Sequence, residues 1–145
     1  MTVLVDGELQ SHVRTFRKTV AFDGSAGNGA VGTVTVGTVT GEVFIHSVTA
    51  FCTENLAGAT ATLSLGGATG GVDGIVAVTT ATDLDASEFW TSATPTAGLV
   101  DTPDAMMGFT MAEDIDVNVL VANITDGTIE FTIVYEPVST DGNIS

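Results

Sequence analysis

Apolar and polar residues alternate with a period of two through most of this chain, which is the pattern of half-buried strands. The C-terminal part shows it best. Ile115, Val117, Val119 and Val121 alternate with more polar residues, and Ile129, Phe131, Ile133 and Tyr135 alternate with Thr128, Glu130, Thr132 and Glu136. Asn123 to Gly127 separates the two runs and carries the Asp126-Gly127 turn signal. The pair is therefore expected to form one antiparallel hairpin, ended by Pro137. Upstream, Val13 to Phe22 reads as a strand with Phe16, Val20 and Phe22 on one face beside Arg14 and Lys18, and Arg17 on the other. Val31 to Thr40 alternates Val with Gly or Thr. Glu42 to Glu54 is the longest strand candidate, with Val43, Ile45 and Phe51 on one face. Ala59 to Leu65, Gly74 to Thr80 and Met106 to Met111 read as shorter strands, with loops at 66–71 and 91–103. Asp85-Ala86-Ser87-Glu88 has the spacing of a capping box ahead of Phe89 and Trp90, and predicts a short helical turn.

Composition points the same way. Val, Thr, Gly and Ala dominate the 145 residues, and Val and Thr are β-branched. The 17 glycines supply turns. No apolar run approaches the ~18 residues that span a bilayer. The predicted fold is all-β: an antiparallel β-sandwich, jelly-roll-like, of roughly seven to nine short strands. The sandwich is expected over residues 13–137, after a flexible N-terminal arm at 1–12 and before a C-terminal tail at 138–145.

Charge narrows the function. The formal net charge is −15, and the only cations are Arg14, Arg17 and Lys18. A body without cations cannot neutralise a phosphate backbone or an anionic membrane surface, so neither nucleic acid nor membrane is an expected partner. Nor can it clamp a transferring phosphoryl group. Asp6 and Glu8 stand where a secretory leader carries positive charge, and the single Cys52 has no intramolecular disulfide partner. Synthesis and folding in a reducing cytoplasm are expected.

No motif builds a catalytic set. Gly27-Asn28-Gly29-Ala30-Val31-Gly32 matches G-x-G-x-x-G, but it runs into strand sequence where a dinucleotide site needs a helix. His46 and Cys52 share a face of a straight strand, yet six residues at ~3.3 Å each set them roughly 20 Å apart. The acidic groups Asp83, Asp85 and Glu88, and Glu113, Asp114 and Asp116, lack EF-hand spacing and read as solvated loops. The first of them is a weak calcium candidate; otherwise no metal and no cofactor is expected. A single Trp and a single Tyr make a poor sugar groove. The chain is read as no enzyme. What stands out is the clustering of Arg14, Arg17 and Lys18, which marks either a protected strand edge or a docking segment for an acidic partner surface.

One stretch resembles a known group. Val20-Ala21-Phe22-Asp23-Gly24-Ser25-Ala26-Gly27-Asn28-Gly29-Ala30-Val31-Gly32, then Thr40-Gly41-Glu42-Val43 and a long Val/Ile/Phe strand, is similar to small proteins encoded among the structural genes of tailed bacteriophages and prophages. Thr82-Asp83-Leu84-Asp85 leading to Phe89-Trp90 fits that pattern too. The resemblance covers roughly residues 13–136 and implies a β-rich virion module of the capsid decoration (cement) type. Its expected partners are the major capsid protein and itself, as a homotrimer, on the outer surface of the head. Attachment would use Arg14, Arg17 and Lys18. A tail, head–tail connector or head-fibre base component is the alternative within virions, and an extracellular carbohydrate- or surface-binding β-sandwich the alternative of another class.

Overall fold

A computed structural model describes residues 3–5, 8–10, 12–69, 71–98 and 103–145. In chain order its strands are β1 (Val3–Val5), β2 (Glu8–Gln10), β3 (Arg14–Ala21), β4 (Gly32–Gly37), β5 (Val39–Thr40), β6 (Val43–Ala57), β7 (Thr62–Gly67), β8 (Val76–Thr80), β9 (Glu88–Phe89), β10 (Thr96–Ala97), β11 (Met107–Met111), β12 (Ile115–Leu120), β13 (Asp126–Pro137) and β14 (Asn143–Ile144). Two single 3₁₀ turns, Ala81–Asp83 and Asp104–Met106, are the only helical pieces among the described residues. No helix there is long and apolar enough to cross a membrane. The all-β expectation holds.

Two antiparallel sheets form the body. One runs β10-β9-β6-β13-β3, with β11 beside the first half of β6; the other runs β4-β12-β7-β8. Inward residues of both sheets merge into one core that includes Val34, Val36, Ile45, Val48, Leu63, Leu65, Val117, Val119, Ile129, Phe131 and Ile133. This is the expected β-sandwich. Trp90 is wholly buried, and its indole Nε1 donates to Thr79 Oγ1 at 2.8 Å, so the one polar atom of that ring is satisfied.

The expected C-terminal hairpin does not exist. Its residues are buried as predicted, but β12 pairs with β4 and β7 while β13 pairs with β3 and β6. The two strands face each other across the core. The strand ends at Leu120, one residue early, because Val121 takes a left-handed φ of 70° and stands exposed. Asp126-Gly127 is not a turn but a bulge at the start of β13, where Gly127 has φ 104° and an added Cβ would meet Leu56 and the Asn55 carbonyl. A D-G signal serves a bulge as well as a turn, since both need a left-handed residue.

A second bulge corrects the long strand. Val134 lies opposite Ser47 and Tyr135 opposite Ile45, so His46 is an extra residue and the side-chain alternation of β6 flips there. Val43 and Ile45 point into the core, then Val48, Ala50 and Cys52; Phe51 lies on the outer face, against the ring of Phe89 at 4.8 Å. His46 and Cys52 are therefore on opposite faces.

Smaller differences have local causes. The Asp85 amide does donate to Glu88 Oε2, at 3.0 Å, as in a capping box. No helix follows, because Ser87 is left-handed (φ 73°) and Glu88 enters β9. Residues 91–103, read as loop, contain β10. Gly66 and Gly67, also read as loop, end β7. Residues 138–145 fold back through β14 onto β5, and Ile144 is buried. Of the arm expected at 1–12, residues 1, 2, 6, 7 and 11 lie outside the described residues; β1 pairs antiparallel with β2.

Phe131 sits 1% exposed in the middle of β13. Phe131→Ala should cost about 3–5 kcal/mol, the usual range for a truncated core Phe. Urea denaturation measures it, and a loss below about 1 kcal/mol would place this face outside the core.

Candidate docking edge

β13 positions the three cations. The register sets Lys18 opposite Phe131, Arg17 opposite Thr132 and Arg14 opposite Tyr135. Among the described residues β3 has no strand on its other side within the sheet, so it is a free edge. The predicted faces hold: Phe16 packs on the core and Val20 is buried, while Arg17 points outward and is exposed. Lys18 shares the inward side yet is exposed, because the edge opens on a groove of about 370 Å³ beside Asn28, Thr33 and Thr35 of the other sheet's rim.

The three do not do the same work. Arg14 is half-buried, and its Nη1 donates to Asn143 Oδ1 at 3.3 Å. The Tyr135 hydroxyl donates to the same oxygen at 3.2 Å and accepts from the Ile144 amide at 3.2 Å. Arg14 thus helps hold the C-terminal strand. Neither Arg17 nor Lys18 has an ion-pair partner among the described residues.

The opposite edge of the same sheet was not legible in the sequence. Among the described residues β11 pairs with β6 only. Along it runs a groove of about 400 Å³, floored by Ile75, Phe109 and Met111, with Asp104 near one end and Glu113 near the other. Met107, 42% exposed, stands at its rim.

The remaining candidates separate. Cys52 is buried, its thiol lies 3.1 Å from the Glu54 carbonyl, and burial pushes its pKa up to about 11. It is protonated at neutral pH and unfit as a nucleophile. His46 packs edge-on to Phe44, with ring centroids 5.0 Å apart. Its Nε2 approaches Glu136 Oε2 at 3.4 Å but without hydrogen-bond geometry. Asp83 and Asp85 are exposed, and Glu88 is taken up by the Asp85 amide. Among the described residues no three acidic, histidine or cysteine side chains gather in a way that would hold a metal ion.

The second acidic group is not a solvated loop. Asp114 Oδ1 accepts from the Val39 amide at 2.8 Å, and Glu113 Oε2 from the Thr69 amide at 2.8 Å. Asp116 lies within β12, only 2% exposed, opposite Gly66, which Gly71 and Val72 cover. Its Oδ1 has no hydrogen-bond partner. Burial raises its pKa above the ordinary 3.8, and Asp114 and Glu113 add to this against a lowering hydrogen bond from Thr35.

No protein-family model matches this sequence, and no curated protein matches it. Among solved structures, a chain of the cyanophage Pam1 capsid asymmetric unit is similar at 21% identity, over 87% of this chain and 85% of that one, with a TM-score of 0.48. At that score the likeness assigns no role, and the functional reading rests on the chain's own surface.

Two outcomes follow from the buried groups. In the folded protein Cys52 should resist maleimide at pH 7 and react once urea unfolds the chain; labelling followed by mass spectrometry decides, and rapid native labelling would contradict the burial. Asp116 binds its proton more tightly folded than unfolded, so its contribution to stability should fall as pH rises above 3.8 through its folded pKa. Asp116→Asn should then raise the melting temperature at pH 7 and leave it nearly unchanged at pH 3. A lower melting temperature at pH 7 would mean that the ionised carboxylate has a partner.

Proposed function

We propose that this chain is a structural virion protein, a decoration (cement) protein that binds the outside of an assembled bacteriophage head. It contacts the major capsid protein, reinforces the joints between capsomers, and carries out no catalysis. One observation carries the reading. Among the described residues Arg17 and Lys18 stand exposed and without an ion-pair partner on an edge strand of a sandwich whose chain is otherwise acidic. A protein with one cationic strip and no chemistry beside it is built to dock on an acidic surface.

Fold and charge support this. Two antiparallel sheets in the orders β3-β13-β6-β9 and β4-β12-β7-β8 suit a jelly-roll-like module laid against a shell. Single surface ion pairs contribute roughly 0–1 kcal/mol. A lattice that repeats them gains strength by multivalency, above all if three copies close into a trimer. Arg17 takes the larger share, since a guanidinium grips a carboxylate with two hydrogen bonds. Arg14 sits behind it, partly engaged with Asn143.

The test mixes undecorated heads with three forms of the chain: wild type, a deletion of residues 1–12, and Arg17→Ala with Lys18→Ala. Bound copies are counted on washed particles. Occupancy should fall severalfold for the double variant, with melting temperature nearly unchanged. Full occupancy by both altered forms would mean that the cations only protect a strand edge.

A further inference from the structure

We infer that β3 receives an added strand: an extended segment of another protein, carrying two adjacent acidic residues, lies antiparallel along residues 17–21 and continues the sheet β6-β13-β3. This rests on β3 as the docking edge of the reading above, and it names the chemistry that fits that edge.

The backbone decides which groups are open. The Phe22 amide donates to the Gly127 carbonyl at 2.9 Å, so residue 22 turns its peptide groups toward β13. Along an antiparallel strand that direction alternates from residue to residue. The pairing of β3 with β13 has no register shift, so Val20 and Lys18 also turn toward β13, and Ala21, Thr19 and Arg17 turn away. Among the described residues no strand and no loop backbone meets those outward groups. A row of open amides and carbonyls on a sheet edge is a template for one more strand.

Side chains choose the occupant. Residues directly opposite one another on paired strands share a face. A residue opposite Lys18 enters the groove of about 370 Å³ between β3 and the other sheet, where Val20 and Val34 are buried and Asn28 and Thr33 are exposed. Its neighbour, opposite Arg17, lies on the outer face, in the row of Thr132. Both positions call for a carboxylate. The position opposite Thr19 does not, because exposed Glu130 stands next to Thr19 on that face and repels one. The position opposite Val20 faces the apolar part of the groove. Read in the antiparallel direction, the occupant runs apolar, neutral, acidic, acidic. A second copy of this chain does not supply it. Its other edge strands among the described residues, β4, β8, β10 and β11, contain no acidic residue, and two β3 strands repel.

The probe is the peptide acetyl-TVTEET-amide, whose second to fifth residues stand opposite Val20, Thr19, Lys18 and Arg17. Its binding to the full chain is followed by NMR through the amide signals of β3. The lysine form, acetyl-TVTKKT-amide, should not bind. N-methylation of the third or the fifth peptide residue, whose amides point at Thr19 and Arg17, should weaken binding about tenfold, while N-methylation of the fourth, whose amide points away, should not. In the protein, Thr19→Pro removes an amide that the β13 ladder does not use, so the melting temperature should stay nearly unchanged while peptide binding falls about tenfold. No binding of acetyl-TVTEET-amide overturns the inference. So does equal binding after N-methylation at the third and fifth residues, which would leave an ion pair without a strand. That arm uses the unaltered chain, and it decides even where Thr19→Pro folds poorly. Undecorated heads separate this inference from the reading on which it rests. Full occupancy by Arg17→Ala with Lys18→Ala overturns the cationic docking itself. Full occupancy by Thr19→Pro, with the double alanine variant rejected, overturns the added strand and leaves the cationic docking standing.

Discussion

The fold depends on one crossing. Residues 121–125 carry the chain from β12 in one sheet to β13 in the other, and three glycines make room for them. The Ile124 carbonyl occupies the place where a Gly29 Cβ would be, the Asn123 carbonyl crowds Gly58, and Gly127 lies against Leu56. The backbone there is paid for in hydrogen bonds from three directions: Ile124 N to Gly29 O, Thr125 N to Ala57 O, and Val31 N to the Asn123 side chain. Asn123 Nδ2 also reaches the Gly24 carbonyl. The glycine loop that precedes β4 is therefore a seat for the crossing. Gly32 then opens a strand, where a dinucleotide loop would open a helix. With the crossing in place, β12 and β13 bury their apolar faces against each other through the core, although they share no ladder.

That explains which parts of the structure could be read beforehand. Period-two alternation reports which side chains are inside, and Ile115, Val117, Val119, Ile129, Phe131 and Ile133 are all inside. Alternation says nothing about which sheet a strand joins. Two strands that face each other across a sandwich have the same pattern as two that pair in a hairpin, and Asp126-Gly127 fits either. The His46 bulge is illegible for a related reason. Nothing in Phe44-Ile45-His46-Ser47-Val48 marks the extra residue; it emerges only from pairing with Val134 and Tyr135 on a distant strand. The cationic edge needed no structure to be noticed, because three cations in an acidic chain are visible in a list of residues. The β11 groove needed it, since Asp104, Met107, Phe109 and Glu113 acquire meaning only when Ile75 from the other sheet closes the floor beneath them.

Acidity has two roles in this molecule. Spread over the surface, carboxylates keep a chain of positive mean hydropathy apart from its copies. Brought inside, they tie loops. Asp114 holds the Val39 amide and Glu113 the Thr69 amide, joining the entry of β12 to the ends of β4 and β7. Asp116 is the exception. Its buried Oδ1 has no partner, and the fold would be more comfortable with it protonated. A carboxylate in that state beneath Gly71 and Val72 is a local weakness in an otherwise satisfied sheet.

The same logic bears on the β3 edge. Lys and Arg on an edge strand ordinarily prevent pairing, because two like-charged edges repel. In a chain of mixed charge that would end the matter. Here the rest of the surface is of the opposite sign, so the device that keeps β3 from meeting another β3 does not repel an acidic surface. Protection against one contact and tolerance of another are one electrostatic fact. Concentrating the cations on a single strand gives the molecule one edge unlike the rest of its surface.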